Sequence, residues 1–350
     1  MLSSDELSAA VGAGVIGRSD AEQLTAFLAQ YRATRGIQED GPDDAESIRF
    51  VRGLHDVFLT IGVTLLLVGI GATTQLVANG AWPYAVGIAA WALAEYFTRA
   101  KRLTLPSIAL SIAFGVAGAF VLPLVAMSSL FGSPEMAEAR NHAPLLVPIG
   151  AFICSVVFYL CFRLPFTLAQ LMACIAVGVA IWFAGSPLLS KLLSLALGLL
   201  AFALAINFDL TDTERRTVAA DNAFWLHLIA APLIVHTAIG FIWADKVSDL
   251  NLAAALMTMG VIFALAFVAL VIDRRALLVA GLFYFGAALF VVIRNTSIQD
   301  TTVLAVTLLI LGGALVLLGV GWRTLRRAVV NTLIPPELAR RLPTLRTDYQ

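Results

Sequence analysis

Residues 54–78 read LHDVFLTIGVTLLLVGIGATTQLVA. Past His55 and Asp56 the stretch carries no charge, and at ~1.5 Å rise per residue it is long enough to cross a ~30 Å hydrocarbon core. In lipid a chain must satisfy its backbone polar groups internally, so a run of this kind reads as a spanning helix. Nine further runs share its character: Ala81–Phe97, Leu105–Leu130, Pro144–Phe162, Leu164–Ala184, Leu188–Asn207, Ala223–Ala244, Leu252–Ile272, Ala276–Ile293 and Thr301–Trp322. Several are parted only by short breaks, such as Asn79–Gly80, the lone Arg163, or Gly185 to Pro187. The expected fold is all-α, a polytopic transmembrane helix bundle of about ten spans over residues 49–322.

Composition agrees. Of 350 residues 60% are hydrophobic and 13% charged, against roughly a quarter charged in soluble domains. A disulfide scaffold, a disordered chain and a nucleic-acid binder are excluded. Cys154, Cys161 and Cys174 all lie within apolar runs, without zinc-ligand spacing, and read as small packing residues. The formal net charge is zero, yet its distribution is informative. With the N-terminus placed in the cytoplasm and the spans alternating, nineteen Lys and Arg fall inside and four (Arg140, Lys191, Lys246, Arg294) outside, as the positive-inside rule requires. Trp82, Trp182, Trp225, Trp243 and Trp322 fall at span ends, where the indole favours the interface. Gly115 with Ala119, and Gly312–Gly313, are small-residue sites of the type that lets helices approach closely.

The ends are of another nature. Ser3, Asp5 and Glu6 ahead of Leu7 and Val11 read as a capped short helix stopped by Gly12 and Gly14. Ser19 to Glu22 form a second capping box before Leu24, Phe27, Leu28 and Tyr31, and Gly36 ends that helix. Residues 1–36 are thus expected to be a two-helix cytoplasmic module with too little core of its own, which docks on the bundle or, through residues 3–35, on a cytoplasmic protein partner. Residues 1–48 hold three arginines against nine carboxylates, a balance that phosphates would repel, so no nucleic acid is expected. Residues 37–48 form an acidic linker. Residues 323–350 form a basic tail with six arginines, broken at Pro335–Pro336 before a short helix to Arg341. Its stretch 323–346 either lies on anionic lipid headgroups or serves only as the positive flank that fixes topology.

The run from Leu7 to Leu24, LSAAVGAGVIGRSDAEQL, resembles the opening of a family of bacterial integral membrane proteins catalogued as domain of unknown function 2157. Its members place a similar module of helix, glycine, isoleucine, serine and acidic helix ahead of many spans. This chain differs in having Gly17–Arg18 between Ile16 and Ser19. The resemblance implies a multi-pass protein of the bacterial inner (plasma) membrane and carries over no catalytic residue; the charge distribution places both termini in the cytoplasm.

Ionisable groups within spans are costly and mark candidate sites. The richest run is DNAFWLHLIAAPLIVHTAIGFIW, residues 221–243, with Asn222, His227, Pro232 and His236. Pro232 removes a backbone donor and crowds the carbonyl of Leu228, which predicts a kink at membrane depth. His236 is either a titrating sensor at that kink or a neutral histidine bonded to a neighbouring helix. His227 and His236, nine residues apart, lie half a turn out of phase and are not co-ligands of one metal. His55, Asp56, Glu95 and Gln170 are secondary candidates, expected to make structural hydrogen bonds, with Glu95 reaching Arg99 at i+4. Catalytic residues, metal and cofactors are expected to be none: protease, zincin and Walker motifs are lacking.

Three functions remain open on these grounds. The first is a non-enzymatic scaffold or sensor in the lipid bilayer with a partner-docking module. The second is a secondary transporter with a five-plus-five inverted repeat. The third is a membrane enzyme acting on lipid-linked substrates, with His55, Asp56, Glu95, Asp209 and Asp212 as a loose interfacial group. A polar midplane cavity would favour transport, and a closed bundle the scaffold.

Overall fold

The structure, a computed structural model, describes residues 11–35, 54–129, 143–212, 215, 217–243, 251–296 and 300–335. The expected first helix near residues 3–11 (all but its last residue), the acidic linker 37–48, the loop 131–142 and the tail beyond 335 lie outside the described residues. The chain divides into two units, residues 1–48 and 49–350.

In the first unit α1 spans Arg18–Arg35. It begins one residue before the expected cap. The Asp20 carboxylate, rather than Ser19, reaches back to accept from the Gly17 N–H at 3.3 Å, which suits the electropositive first turn. Val15 and Leu24 are exposed.

The second unit is all-helical among its described residues. In chain order it holds α2 (Leu54–Val77), α3 (Trp82–Ala94, continued by a π-helical turn Glu95–Ala100), α4 (Thr104–Ser129), α5 (Leu146–Phe162), α6 (Phe166–Trp182), α7 (Pro187–Thr211), α8 (Val218–Ile242), α9 (Leu252–Ile272), α10 (Ala276–Val279), α11 (Leu282–Arg294) and α12 (Asp300–Leu333). Seven of these segments, α2, α4, α5 with its leading turn, α7, α8, α9 and α12, are long and apolar enough to cross a membrane. α6 and α11 are shorter apolar helices. Leu65, Leu66, Leu309 and Val316 are exposed on α2 and α12, as expected of helices that face hydrocarbon rather than water.

The breaks have local causes. Arg163 takes the left-handed conformation (φ 50°), and Pro165 follows it. A left-handed residue and a proline cannot continue α5, so the chain turns into α6. The expected run 276–293 divides into α10 and α11 at Ala280–Gly281. A side chain on Gly281 would meet Ile262 Cδ1 at 2.9 Å, so that turn is seated directly on α9. Pro232 leaves α8 continuous from Val218 to Ile242. At the other end α12 runs on past Trp322 to Leu333, so the basic segment begins on a helix and not in a tail.

Two cores result. Val63 and Leu67 of α2 pack with Val86 and Ala90 of α3, Leu110 of α4 and Phe158 of α5. Trp91 stacks beside Phe114 and Phe162, each at 5.2 Å between centroids. The other core joins Ala231 of α8, Ala269 and Leu270 of α9, Leu277 of α10 and Trp322 of α12. Of the small-residue sites expected to allow close approach, Gly115 is one and Gly312–Gly313 is not. Nothing lies within 4 Å of a side chain added at Gly312 or Gly313. A side chain at Gly115 would collide with the amide of Gln170. The tight crossing is Gly118 of α4 on Gly150 of α5, where each glycine faces the other's carbonyl.

Candidate functional site

α7 and α8 form an antiparallel pair joined across residues 212–217. The Asp212 carboxylate accepts from both the backbone N–H and the hydroxyl of Thr217, each at 2.7 Å. Thr217 in turn caps α8 by accepting from Ala219 N–H at 3.2 Å. This ties the C-terminal end of α7 to the N-terminal end of α8 and sets Asp209, on the last turn of α7, against His227. At the opposite end Lys191 donates to the Gly240 carbonyl at 2.9 Å, which closes the pair there.

α9 supplies the third partner through the way it ends. Asp273 adopts the left-handed conformation (φ 57°), which Asp tolerates better than most residues. The Arg274 N–H bonds back to Ala269, and the side chain of Arg274 turns inward to 2% exposure. There it donates through Nε to Asp209 Oδ2 at 3.2 Å and through Nη2 to Oδ1. Nη2 also reaches the Ala220 carbonyl at 3.4 Å. His227, fully buried, sets Nε2 at 2.8 Å from Asp209 Oδ2. A carboxylate bound to arginine only accepts, so we assign the proton to Nε2. The imidazole packs edge-on against Phe202 at 5.3 Å, and among the described residues its Nδ1 has no hydrogen-bond partner.

A second knot lies beside the first. Asp273 accepts from the Trp322 indole N–H at 2.8 Å and pairs with Arg215 at 3.6 Å and Arg326 at 3.7 Å. Arg215 also donates to the carbonyls of Ile272 and Asp273, each at 3.0 Å. A carboxylate at a helix C-terminus opposes the helix dipole, and the guanidinium there offsets it. Arg275 lies over the Trp322 ring at 5.3 Å. The two knots join α7, α8, α9, the turn before α10, and α12.

The residues singled out in the sequence take separate places. Asn222, His227, Pro232 and His236 are not brought together. His227 faces the interior. His236 is exposed, and its Nδ1 bonds the Tyr284 hydroxyl of α11, so it is tied to a neighbouring helix. Pro232 is exposed on the same face as His236. Asn222 is buried one turn into α8, and its Oδ1 has no partner among the described residues. Of the loose interfacial group, Asp209 belongs to the cluster and Asp212 holds its turn. His55 is exposed and Asp56 buried at the start of α2. Glu95 pairs with Arg99 at 2.6 Å on the surface, as expected, where such pairs contribute about 0–1 kcal/mol. Arg274, Arg326 and Trp322 were expected only as positive flanks and an interfacial aromatic. They are buried partners instead.

Gln170 has the structural role foreseen. Its Oε1 accepts from the Ser111 hydroxyl at 2.7 Å and its Nε2 donates to the Ser111 carbonyl at 3.2 Å, which joins α6 to α4. Hydrogen bonds between membrane helices contribute about 0.6 kcal/mol on average. Gln170→Leu is therefore expected to lower stability by less than about 2 kcal/mol, read as a small drop in melting temperature in mild detergent.

No group of metal-binding side chains occurs among the described residues. Comparison with protein-family models, curated proteins and solved structures returns no match.

Proposed function

We propose that this chain is a multi-pass scaffold of the bacterial inner membrane, with both termini in the cytoplasm and an acidic N-terminal module that docks a cytoplasmic protein. One observation carries the reading. The charged groups buried at one end of the bundle pair with one another: Asp209 binds His227 Nε2 and Arg274, and Asp273 takes Trp322, Arg215 and Arg326. A carrier needs such groups facing a solute path, and an enzyme needs them facing a substrate. The cavity found between α3, α4 and α5 is walled by apolar residues, which suits neither role.

Ten crossings are supported by helix lengths and contacts. From Trp82 to Ala100 α3 and its π turn run nineteen residues, and α6 has seventeen, within the ~17–25 that a span requires. Phe166, at the start of α6, meets Trp225 near the start of α8 at 4.9 Å. Trp322 of α12 meets Asp273 at the end of α9, which supports a return of the chain to the far end through α10 and α11. The net negative charge of residues 1–48 and exposed Val15 and Leu24 suit a basic, partly apolar protein partner. The resemblance of residues 7–24 to the bacterial membrane family, and the contact of the basic segment from Arg323 with anionic lipid, belong to the same proposal.

Alternating access provides the test. With Cys154, Cys161 and Cys174 replaced by serine, Ala205→Cys and Ala230→Cys, both on fully buried positions, are treated with a membrane-impermeant maleimide from each side. A scaffold leaves both unlabelled. Labelling from both sides would mark a moving solute path and replace the scaffold with a carrier. Arg163→Cys reports topology in the same preparation: it labels from the cytoplasm if ten helices cross, and from outside if only the seven long ones do.

A further inference from the structure

We infer that the groove between α3, α4 and α5 is a binding site for one acyl chain of a membrane phospholipid. Its cavity of about 650 Å³ lies within the ~300–1,000 Å³ of small-molecule sites. Small residues open it: Gly87 and Ala117 set α3 against α4, where an added side chain on Gly87 would meet Ala117 Cβ at 3.2 Å. Gly118 and Gly150 bring α4 and α5 to backbone contact. With both crossings already at their limit, the three helices cannot close further on the space between them. Trp91 and Phe114 are among the residues that line it.

Two features select the occupant. The lining is apolar, so a headgroup, ion or polar solute gains no hydrogen bond there to replace those lost from water. The lining residues Ile88 and Ile153 are exposed on the outside of the bundle, so the groove opens sideways on the face that meets lipid tails. Lipid tails are as apolar as the site, so hydrophobicity alone does not retain the chain. Retention comes from dispersion contacts with a preformed wall, which an empty groove would forfeit. Tyr84, at the beginning of α3, marks the end of the groove nearest a membrane interface and therefore the headgroup end.

The protein is reconstituted in vesicles of phosphatidylethanolamine doped with the same lipid bearing a mid-chain diazirine, irradiated, and mapped by peptide mass spectrometry. The expected adducts fall on Trp91, Phe114 and Cys154. Ala92→Phe, at an exposed position of the rim, lowers them about tenfold, equivalent to ~1.4 kcal/mol of lost affinity, while adducts on exposed Leu309 and Val316 of α12 are unchanged. Adducts on Trp91 and Cys154 that are no denser than those on α12, or that persist in Ala92→Phe, would overturn the assignment. Melting of Ala92→Phe within a degree or two of the parent separates loss of the site from loss of the fold.

Discussion

Replacing Asp209 with leucine is expected to lower the stability of the bundle by about 3–5 kcal/mol, the cost of leaving one member of a buried pair uncompensated. Arg274 is 2% exposed, and Asp209 is the only carboxylate it is seen to bind among the described residues. Without it a guanidinium remains in a low-dielectric interior, and His227 loses the acceptor for Nε2. Arg274→Met removes the cation and keeps the length of the side chain, and it costs less because His227 still satisfies the carboxylate. The pair Asp209→Leu with Arg274→Met then tests the coupling. Buried ion pairs replaced by apolar residues of similar volume are often neutral, so the double variant should be more stable than Asp209→Leu alone. Thermal melting of the four proteins in one detergent gives the cycle. Additive losses would mean that the two side chains do not act as a unit.

Gly150→Val carries the second large effect. The added Cβ falls on the carbonyl of Gly118 and within 3.0 Å of Leu122 Cβ. A backbone carbonyl in a helix cannot swing aside as a long side chain can, so α4 and α5 must part. The loss is expected at the upper end of the ~1–3 kcal/mol for overpacking, or beyond it. It should be accompanied by weaker lipid labelling at Trp91, because the groove is framed by the same crossing. Gly312→Ala is the matched control. Nothing lies within 4 Å of the new methyl, and alanine is favoured over glycine within a helix by about 0.5–1 kcal/mol, so that variant should melt at or above the parent temperature. Equal losses for the two would show that glycine content, not the crossing, sets stability.

The apolar runs made the helical membrane bundle legible, since length and hydropathy respond directly to the solvent. Arg163 was legible as a boundary for the same reason. The Glu95–Arg99 and Gln170 contacts followed from spacing and from the cost of a lone polar group. The ionic cluster was not legible as a unit. Arg274 sits two residues past the end of α9, and in sequence it looks like any positive flank. Only the left-handed turn at Asp273 sends it inward, and only the α7–α8 turn brings Asp209 to meet it. Asp209 and Arg274 are 65 residues apart, beyond the reach of any local pattern. The small-residue signal held at Gly115 and not at Gly312–Gly313: Gly312–Gly313 and Gly118 are alike in composition and differ only in which helix lies opposite. His236 was legible as a polar group in a span but not as a neighbour of Tyr284.

On the scaffold reading the Asp209–His227–Arg274 cluster holds the bundle in one closed arrangement. Electron–electron resonance distances between spin labels at Thr211, on the exposed end of α7, and Val279, exposed on α10, test it across the locked end. In vesicles at about pH 5 to 8, the range in which histidine changes charge, a scaffold gives one narrow distance distribution that does not move. A second population, growing as the pH falls or as a solute is added, would contradict it and identify the cluster as the switch of a sensor or carrier.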